Sequence, residues 1–459
     1  MAKLWEKNYR LDRLLEEFTV GDDWQIDARL VSADCAASVA HAAMLQSIGL
    51  LTRPELEGLR RELLAIADDA SRGAFSIAPS DEDCHTAIEN RLVAALGDAG
   101  KKIHTGRSRN DQVLVALRLW IRDYLLVFEE ACLALADRLL DFAGRHANVP
   151  MPGRTHLQPA MPSSVGLWAA AHAEELIDDL VVADAAFHLA DACPLGSAAS
   201  YGVPLPLDRE MTSDLLGFSR VQNNVLYANN SRGRVEGVAL SAVEEVCLTL
   251  ARMAEDLILY AMPEFGWFTL PKELCSGSSI MPQKHNPDGL ELVRGKAAVV
   301  GADREAVTSI TRGLPSGYNR DLQLTKAPCF RGCETGLACV QIMDLTVSKL
   351  AVNADRLAAG FSPGVFATDR ALELVNQGVP FRDAYRRVGA NLDKLAAMDP
   401  VEAIRRRTST GTPGNLRLDV PRAAASKRSA ALLARREHIT SRITALVGRD
   451  LRFFRDPLR

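Results

Sequence analysis

The 459-residue sequence contains no apolar run of membrane-spanning length, and its first eight residues, Met1-Ala-Lys-Leu-Trp-Glu-Lys-Asn8, lack the apolar core of a signal peptide. No membrane association and a cytoplasmic location are therefore expected. Cys-x-x-Cys pairs are missing as well. The nine cysteines stand apart, the nearest two being Cys329 and Cys333, which points to free, mostly buried thiols in a reducing compartment. His-Glu-x-x-His, the Walker A loop and Gly-x-Gly-x-x-Gly are all absent, so neither a catalytic metal nor a nucleotide cofactor is expected. A net charge of only −4 gives no general affinity for polyanions. What is present is a globular composition, 47% hydrophobic and 24% charged, in a chain long enough for two or three subdomains.

Helical periodicity dominates. Apolar spacing predicts helices over 33–48, closed by Gly49, and over 54–70, with Pro54 at the start after Thr52. A long amphipathic helix of roughly 45 Å is expected from Val113 through Leu117, Trp120, Tyr124 and Phe128 towards Ala143. Further long helices are expected over 163–189, from Asn229 through Leu257, and over 288–310, with shorter ones over 369–377 and 381–398. Long helices separated by polar breaks imply an all-α fold, an elongated central bundle whose turns gather functional groups at its ends. The expected division is an N-terminal unit (1–105), the central bundle (106–360) and a small helical C-terminal unit (361–459), so that two smaller, mostly helical domains flank the bundle.

The breaks carry the chemistry. Gly277-Ser-Ser-Ile-Met-Pro-Gln-Lys-His-Asn-Pro-Asp288 is polar, and Pro282 and Pro287 keep it from closing into a helix; Asp288 is placed to cap the helix that follows. His104-Thr-Gly-Arg-Ser-Arg-Asn-Asp-Gln112 sets two arginines, Ser108 and Asn110 at a helix start, a ready site for a dicarboxylate. Asp81-Glu-Asp-Cys-His85 reads as a capped helix start with a histidine on the surface. Pro150-Met-Pro-Gly-Arg-Thr155-His156 reads as a turn into the next helix. From Arg405 to Arg459, 14 lysines and arginines face four acids, an excess of ten positive charges without aromatic interleaving; a solvated helix face is preferred to a nucleic-acid surface.

The 277–288 loop resembles the signature loop of the fumarase/aspartase superfamily, Gly-Ser-Ser-x-Met-Pro-x-Lys-x-Asn, at every fixed position. Pro152 to Gln158 is similar to the superfamily's Pro-Gly-x-Thr-His-x-Gln segment, and three other segments are similar to those of argininosuccinate lyases: Asp81 to Glu89, Thr105 to Gln112, and Leu314 to Lys326. The resemblance implies a long-helix bundle, elimination of arginine from argininosuccinate to release fumarate, no cofactor, and a homotetramer with shared active sites. It also implies roles. Ser278 is the base, His156 assists as acid or proton relay, and Lys284 and Asn286 face the developing negative charge. His85, Ser108, Arg109, Asn110, Thr155, Tyr318, Gln323 and Lys326 bind the substrate. The alternatives are another fumarate-releasing lyase, such as adenylosuccinate lyase or fumarase, or a crystallin-like structural protein. The chain departs from that pattern at Arg154, where tyrosine is usual, at Pro159, where arginine is, and at Leu324, Thr325 and Ala327, where acids often surround the lysine.

Overall fold

The computed structural model describes residues 12–456 and 458. The leading eight residues read above for a signal peptide lie outside the described residues. Helices dominate, and among the described residues the strands form only two-stranded sheets. Near the N-terminus α1 (Val31–Ser47) is followed by α2 (Arg53–Ser71), which begins in a capping box between Thr52 and Glu55 with Pro54 in the first turn. Next comes α3 (Cys84–Leu96), whose N-cap Asp83 accepts from the Thr86 N–H at 2.8 Å.

The centre is α4 (Arg109–Arg145), 37 residues and so about 55 Å long. Its second half is amphipathic, exposing Glu130, Ala134, Asp137 and Asp141 along one face, but its first half is not. From Asp111 to Leu126 every residue is buried, because neighbours surround the first half of the helix and its polar side chains must find partners inside. Arg118 and Arg122 do so by donating to carbonyls and side chains of 189–231, including Leu189, Gly217 and Ser231. A hairpin follows where a simple turn is expected: β1 (Pro150–Thr155) pairs antiparallel with β2 (Gln158–Ser164). Then come α5 (Val165–Ala190) and α6 (Arg234–Ala261), the short ladder of β3 (Ser276–Gly277) with β4 (His285–Asn286), and α7 (Asp288–Thr311) and α8 (Lys326–Lys349). Asp288 is the first residue of α7 and makes no cap, since Pro287 holds the N-cap position. Helices α4 to α8 pack into one bundle. Gly332 and Gly336, one turn apart on α8, let it approach α6 closely; a Cβ at Gly336 would overlap Val243.

Beyond the bundle, α9 (Ala367–Asn376) and α10 (Phe381–Gly389) enclose a small separate core of Ala371, Ala384 and Val388. The expected helix over 381–398 stops at Gly389, and residues 392–394 form a 3₁₀ turn. The chain then returns along α11 (Asp419–Val447), which packs on α4 and places Leu432, Ile443 and Val447 in the main core. Its basic residues meet acids of neighbouring elements: Arg422 pairs with Asp141, Arg428 and Arg435 with Asp184, Arg436 with Glu130, and Arg442 with Asp214. The local positive excess thus lies on a largely exposed helix face, as expected, and is laced with ion pairs to neighbouring elements. All nine cysteines are free and eight are buried.

Candidate active site

The polar segments fall into two groups. The first gathers at the start of α4. Ser108 caps that helix, its hydroxyl accepting from the Asn110 N–H at 3.3 Å while Asp111 accepts from the Ser108 N–H at 2.9 Å. The other oxygen of Asp111 accepts from the N–H groups of Gly196 and Ala198, tying a distant loop to the helix start. Arg109 is held by Glu82 and Asp83, each at 3.2 Å, and donates to Thr86 at 2.7 Å. Arg107 is buried and donates to Ser38. Of Ser108, Arg109 and Asn110, only Asn110 has a side chain without a partner, which narrows the expected anion site to its amide and the helix terminus.

His85 is not on the surface. It is buried, with Nδ1 2.9 Å from an oxygen of Asp34, whose carboxylate also accepts from Gln112 at 3.0 Å. Burial pushes the imidazole down, but Asp34, Asp83 and Asp27 outweigh it and the net shift is upward. Burial likewise raises Asp34, and His85 with Arg107 brings it below its ordinary value. Both directions describe a charged pair. The Nε2 atom of His85 is buried without a partner.

Lys326 is buried too, with Nζ 2.6 Å from Asp27 and 3.0 Å from Asp23. The acids that the sequence lacks beside Lys326 therefore come from Asp27, 299 positions away, and Asp23. Gln323 accepts from Arg232 at 2.8 Å and donates to the Tyr318 hydroxyl at 3.1 Å. Arg232, Asp23, Asp27 and Asp34 are members of this cluster that sequence reasoning missed. Asp27, Cys84 and His85 are the one set of metal-ligand type among the described residues. They suit a cation poorly. Asp27 already carries the Lys326 ammonium, and burial, aided by Asp27, Asp34 and Asp83, pushes the Cys84 thiol well up, against the thiolate a metal requires.

The second group lies at the other end of the bundle. In the hairpin, His156 and Leu157 form the two-residue loop, with φ of 53° and 59°, the left-handed pair of a type I′ turn. Neither is a glycine, so this backbone costs about 2–4 kcal/mol in all. Arg154 offsets it. Its guanidinium donates to the Leu157 carbonyl at 2.7 Å and lies 4.7 Å from the Phe265 ring centre and 5.4 Å from that of Trp267. A charge-assisted bond contributes ~1.5–3 kcal/mol and a cation on a ring ~0.5–2, enough to hold the turn. Thr155 and His156 are exposed at its tip. Gly153 marks an irregularity in the ladder where a Cβ would meet the Met161 carbonyl at 2.9 Å.

In the 277–288 loop the Ser278 hydroxyl oxygen accepts from the N–H groups of Met281, at 3.1 Å, and Ile280, at 3.4 Å. Donors aimed at this oxygen favour its deprotonated form. Asn286 donates to Ser276 at 3.4 Å, and Lys284 is exposed. Behind the loop lies a cavity of about 520 Å³ bordered by Lys284, Asn286, Phe268 and Arg356.

Connectivity separates the groups. The hairpin follows the C-terminus of α4, whereas Asn110 sits at its start, about 55 Å away. The Ser278 loop precedes α7 and the Tyr318 loop follows it, so the 24 residues of that helix keep them about 36 Å apart. One chain brings His85, Ser108, Arg109, Asn110, Tyr318, Gln323 and Lys326 to one end, and Thr155, His156, Ser278, Lys284 and Asn286 to the other.

Residues 7–301 match a family described as lyase. The chain is 48% identical to the argininosuccinate lyase of Sorangium cellulosum over 418 residues, covering 91% of this chain and 97% of that protein. This chain belongs to the argininosuccinate lyase family. It is also 45% identical to the argininosuccinate lyase of Thermotoga neapolitana, over 84% of this chain and 97% of that one. Solved structures of low sequence identity share the fold. The chain superposes on EDDS lyase in complex with formate with a TM-score of 0.80 at 22% identity, covering 96% of this chain and 95% of the other. It superposes on the class II fumarase of Schistosoma mansoni with a TM-score of 0.69 at 15% identity, covering 87% and 96%.

Proposed function

We propose that this protein is a carbon–nitrogen lyase that eliminates L-arginine from argininosuccinate and releases fumarate, a step of arginine biosynthesis. The observation that carries the reading is 48% identity to an argininosuccinate lyase over nearly the whole chain, and Ser278, His156 and Lys284 present in the sequence support it. The reaction takes a proton from the carbon beside a carboxylate, turns that C–H pair into the new double bond, and breaks the C–N bond to the guanidinium. Ser278 is the base, its two backbone donors stabilising the alkoxide it needs. His156 completes a proton relay to the departing nitrogen. Lys284 and Asn286 face the dinegative intermediate. Asn110, Thr155 and Tyr318 hold the substrate, with Ser108, Arg109, His85, Gln323 and Lys326 shaping the site from beneath.

No single chain can assemble these parts, because ends 36–55 Å apart exceed the span of so small a substrate several times over. Side-by-side packing in a homotetramer with dihedral symmetry brings one chain's Asn110 end to another's Ser278 end. Free thiols suit the reducing cytoplasm. Two experiments test the reading. Release of fumarate, followed by ultraviolet absorbance, is expected from argininosuccinate and not from adenylosuccinate or malate; the reverse pattern sinks the substrate assignment. Co-refolding inactive Ser278→Ala with Asn110→Asp, whose added carboxylate is expected to repel the dicarboxylate substrate and abolish activity, is expected to restore part of the activity. Hybrid tetramers that stay inactive, or a fully active monomer, refute the sharing.

A further inference from the structure

We infer that Arg154 is a positioning residue for this reaction, setting the imidazole of His156 by clamping the turn that carries it. The inference rests on the reading of His156 as part of the proton relay. Both central residues of the turn are left-handed, and although histidine tolerates that region better than most, the side chain of Leu157 does nothing to favour it. Its conformation must be imposed from outside. Arg154 is placed to impose it: two positions before His156, it reaches across the turn to the Leu157 carbonyl at 2.7 Å, closing a ring of contacts around the imidazole-bearing residue. Opposite it in the ladder stands Pro159, which has no N–H to offer. The side chain therefore supplies a tie that the backbone cannot.

The other face of the guanidinium is fixed by the aromatic platform of Phe265 and Trp267, whose rings are 5.0 Å apart. Trp267 is buried, and the Nε atom of Arg154 is buried against this platform without a protein partner. The role thus depends on a planar, stacked, forked cation, which lysine cannot reproduce. The platform also begins the segment that runs through Phe268–Thr269 to the Ser278 loop. Arg154 joins the base of one reactive element to the tip of the other.

The test uses the full-length protein with argininosuccinate, measuring turnover, KM and melting temperature for Arg154→Ala, Arg154→Lys, His156→Asn and the Arg154→Ala/His156→Asn double variant. Both Arg154 variants are expected to lose roughly 10–100-fold in turnover with KM nearly unchanged, since a misplaced group costs rate more than binding. The double variant is expected to be no slower than His156→Asn alone, because the clamp acts only through the imidazole. Losses that multiply, or an Arg154→Lys enzyme with full turnover, overturn the inference while leaving His156 in the relay. A His156→Asn enzyme with wild-type turnover overturns the relay assignment itself and the inference with it. Should Arg154→Ala fail to fold, Arg154→Lys alone and combined with His156→Asn gives the same decision.

Discussion

The two ends of the bundle hold polar residues in opposite ways. At the Asn110 end, His85, Arg109 and Lys326 are packed against Asp34, Glu82, Asp83, Asp23 and Asp27, and Lys326 has almost no contact with solvent. At the Ser278 end, His156 and Lys284 are exposed beside short two-stranded ladders, and among the described residues the hydroxyl of Ser278 is held by backbone donors of its own loop. One end is finished within its own chain, and the other presents the groups proposed for the chemistry outward. Charged side chains of one motif class can therefore be scaffold at one end and chemistry at the other. Burial and pairing, rather than residue type, decide which.

Substitutions should separate the ends by their readouts. Ser278→Ala removes a half-buried hydroxyl bonded within its own loop, so turnover is expected to fall at least ~10³-fold with unfolding in denaturant nearly unchanged. Turnover within tenfold of wild type would remove Ser278 from the role of base and erase the contrast. Lys326→Met is the converse. It leaves Asp23 and Asp27 facing each other inside the protein without their cation, which is expected to cost about 3–5 kcal/mol of stability by denaturant titration. A variant as stable as wild type would mean that water or a rearranged arginine replaces the ammonium.

Much of this was legible because helix periods are long and repetitive. The cap at Thr52, the start of α3 after Asp83 and the long helices were readable to within a few residues, and each motif fell in a break between them. The hairpin was not readable. Type I′ turns are signalled by Asn-Gly or Asp-Gly, and His156-Leu157 carries neither, since Arg154 supplies the constraint from outside the turn. Nor was the burial of His85 and Lys326 readable, because their partners Asp34 and Asp27 lie 51 and 299 positions away. The basic run at the C-terminus was readable as a solvated face but its ion pairs were not, the matching acids being on α4, on α5 and at Asp214 between α5 and α6.

Within the helix start at the buried end, the contrast can be sharpened between adjacent residues. Arg109→Ala breaks contacts to Glu82, Asp83 and Thr86 and is expected to lower stability by roughly 1–3 kcal/mol. Asn110→Ala breaks no side-chain contact and is expected to leave stability alone while raising KM about tenfold, the loss of one hydrogen bond to a bound carboxylate. Steady-state kinetics and thermal melts on the pair decide it. A turnover defect with unchanged KM in Asn110→Ala would move that amide from binding into the chemistry.

The smallest expected effect concerns pH at the buried end. His85 has its pKa raised in the folded protein, against the pull of burial, by Asp34, Asp83 and Asp27, whereas its unfolded value is 6.5. A group raised in this way binds its proton more tightly when folded. Its contribution is fully present below pH 6.5 and is lost as pH rises through the folded value. Asp34, lowered by His85 and Arg107 despite burial, works in the opposite sense and loses its contribution only as pH falls below its unfolded value of 3.8. The pair therefore stabilises most between these two values. His85→Gln keeps a donor for Asp34 and leaves the Gln112 bonds in place, so its cost near pH 6 is expected to be only about 1 kcal/mol. Urea titrations of both proteins from pH 5 to pH 9 should show the wild-type advantage shrinking above pH 6.5. An advantage that stays constant over that range would mean that His85 is neutral in the fold, and that its tie to Asp34 is an ordinary hydrogen bond.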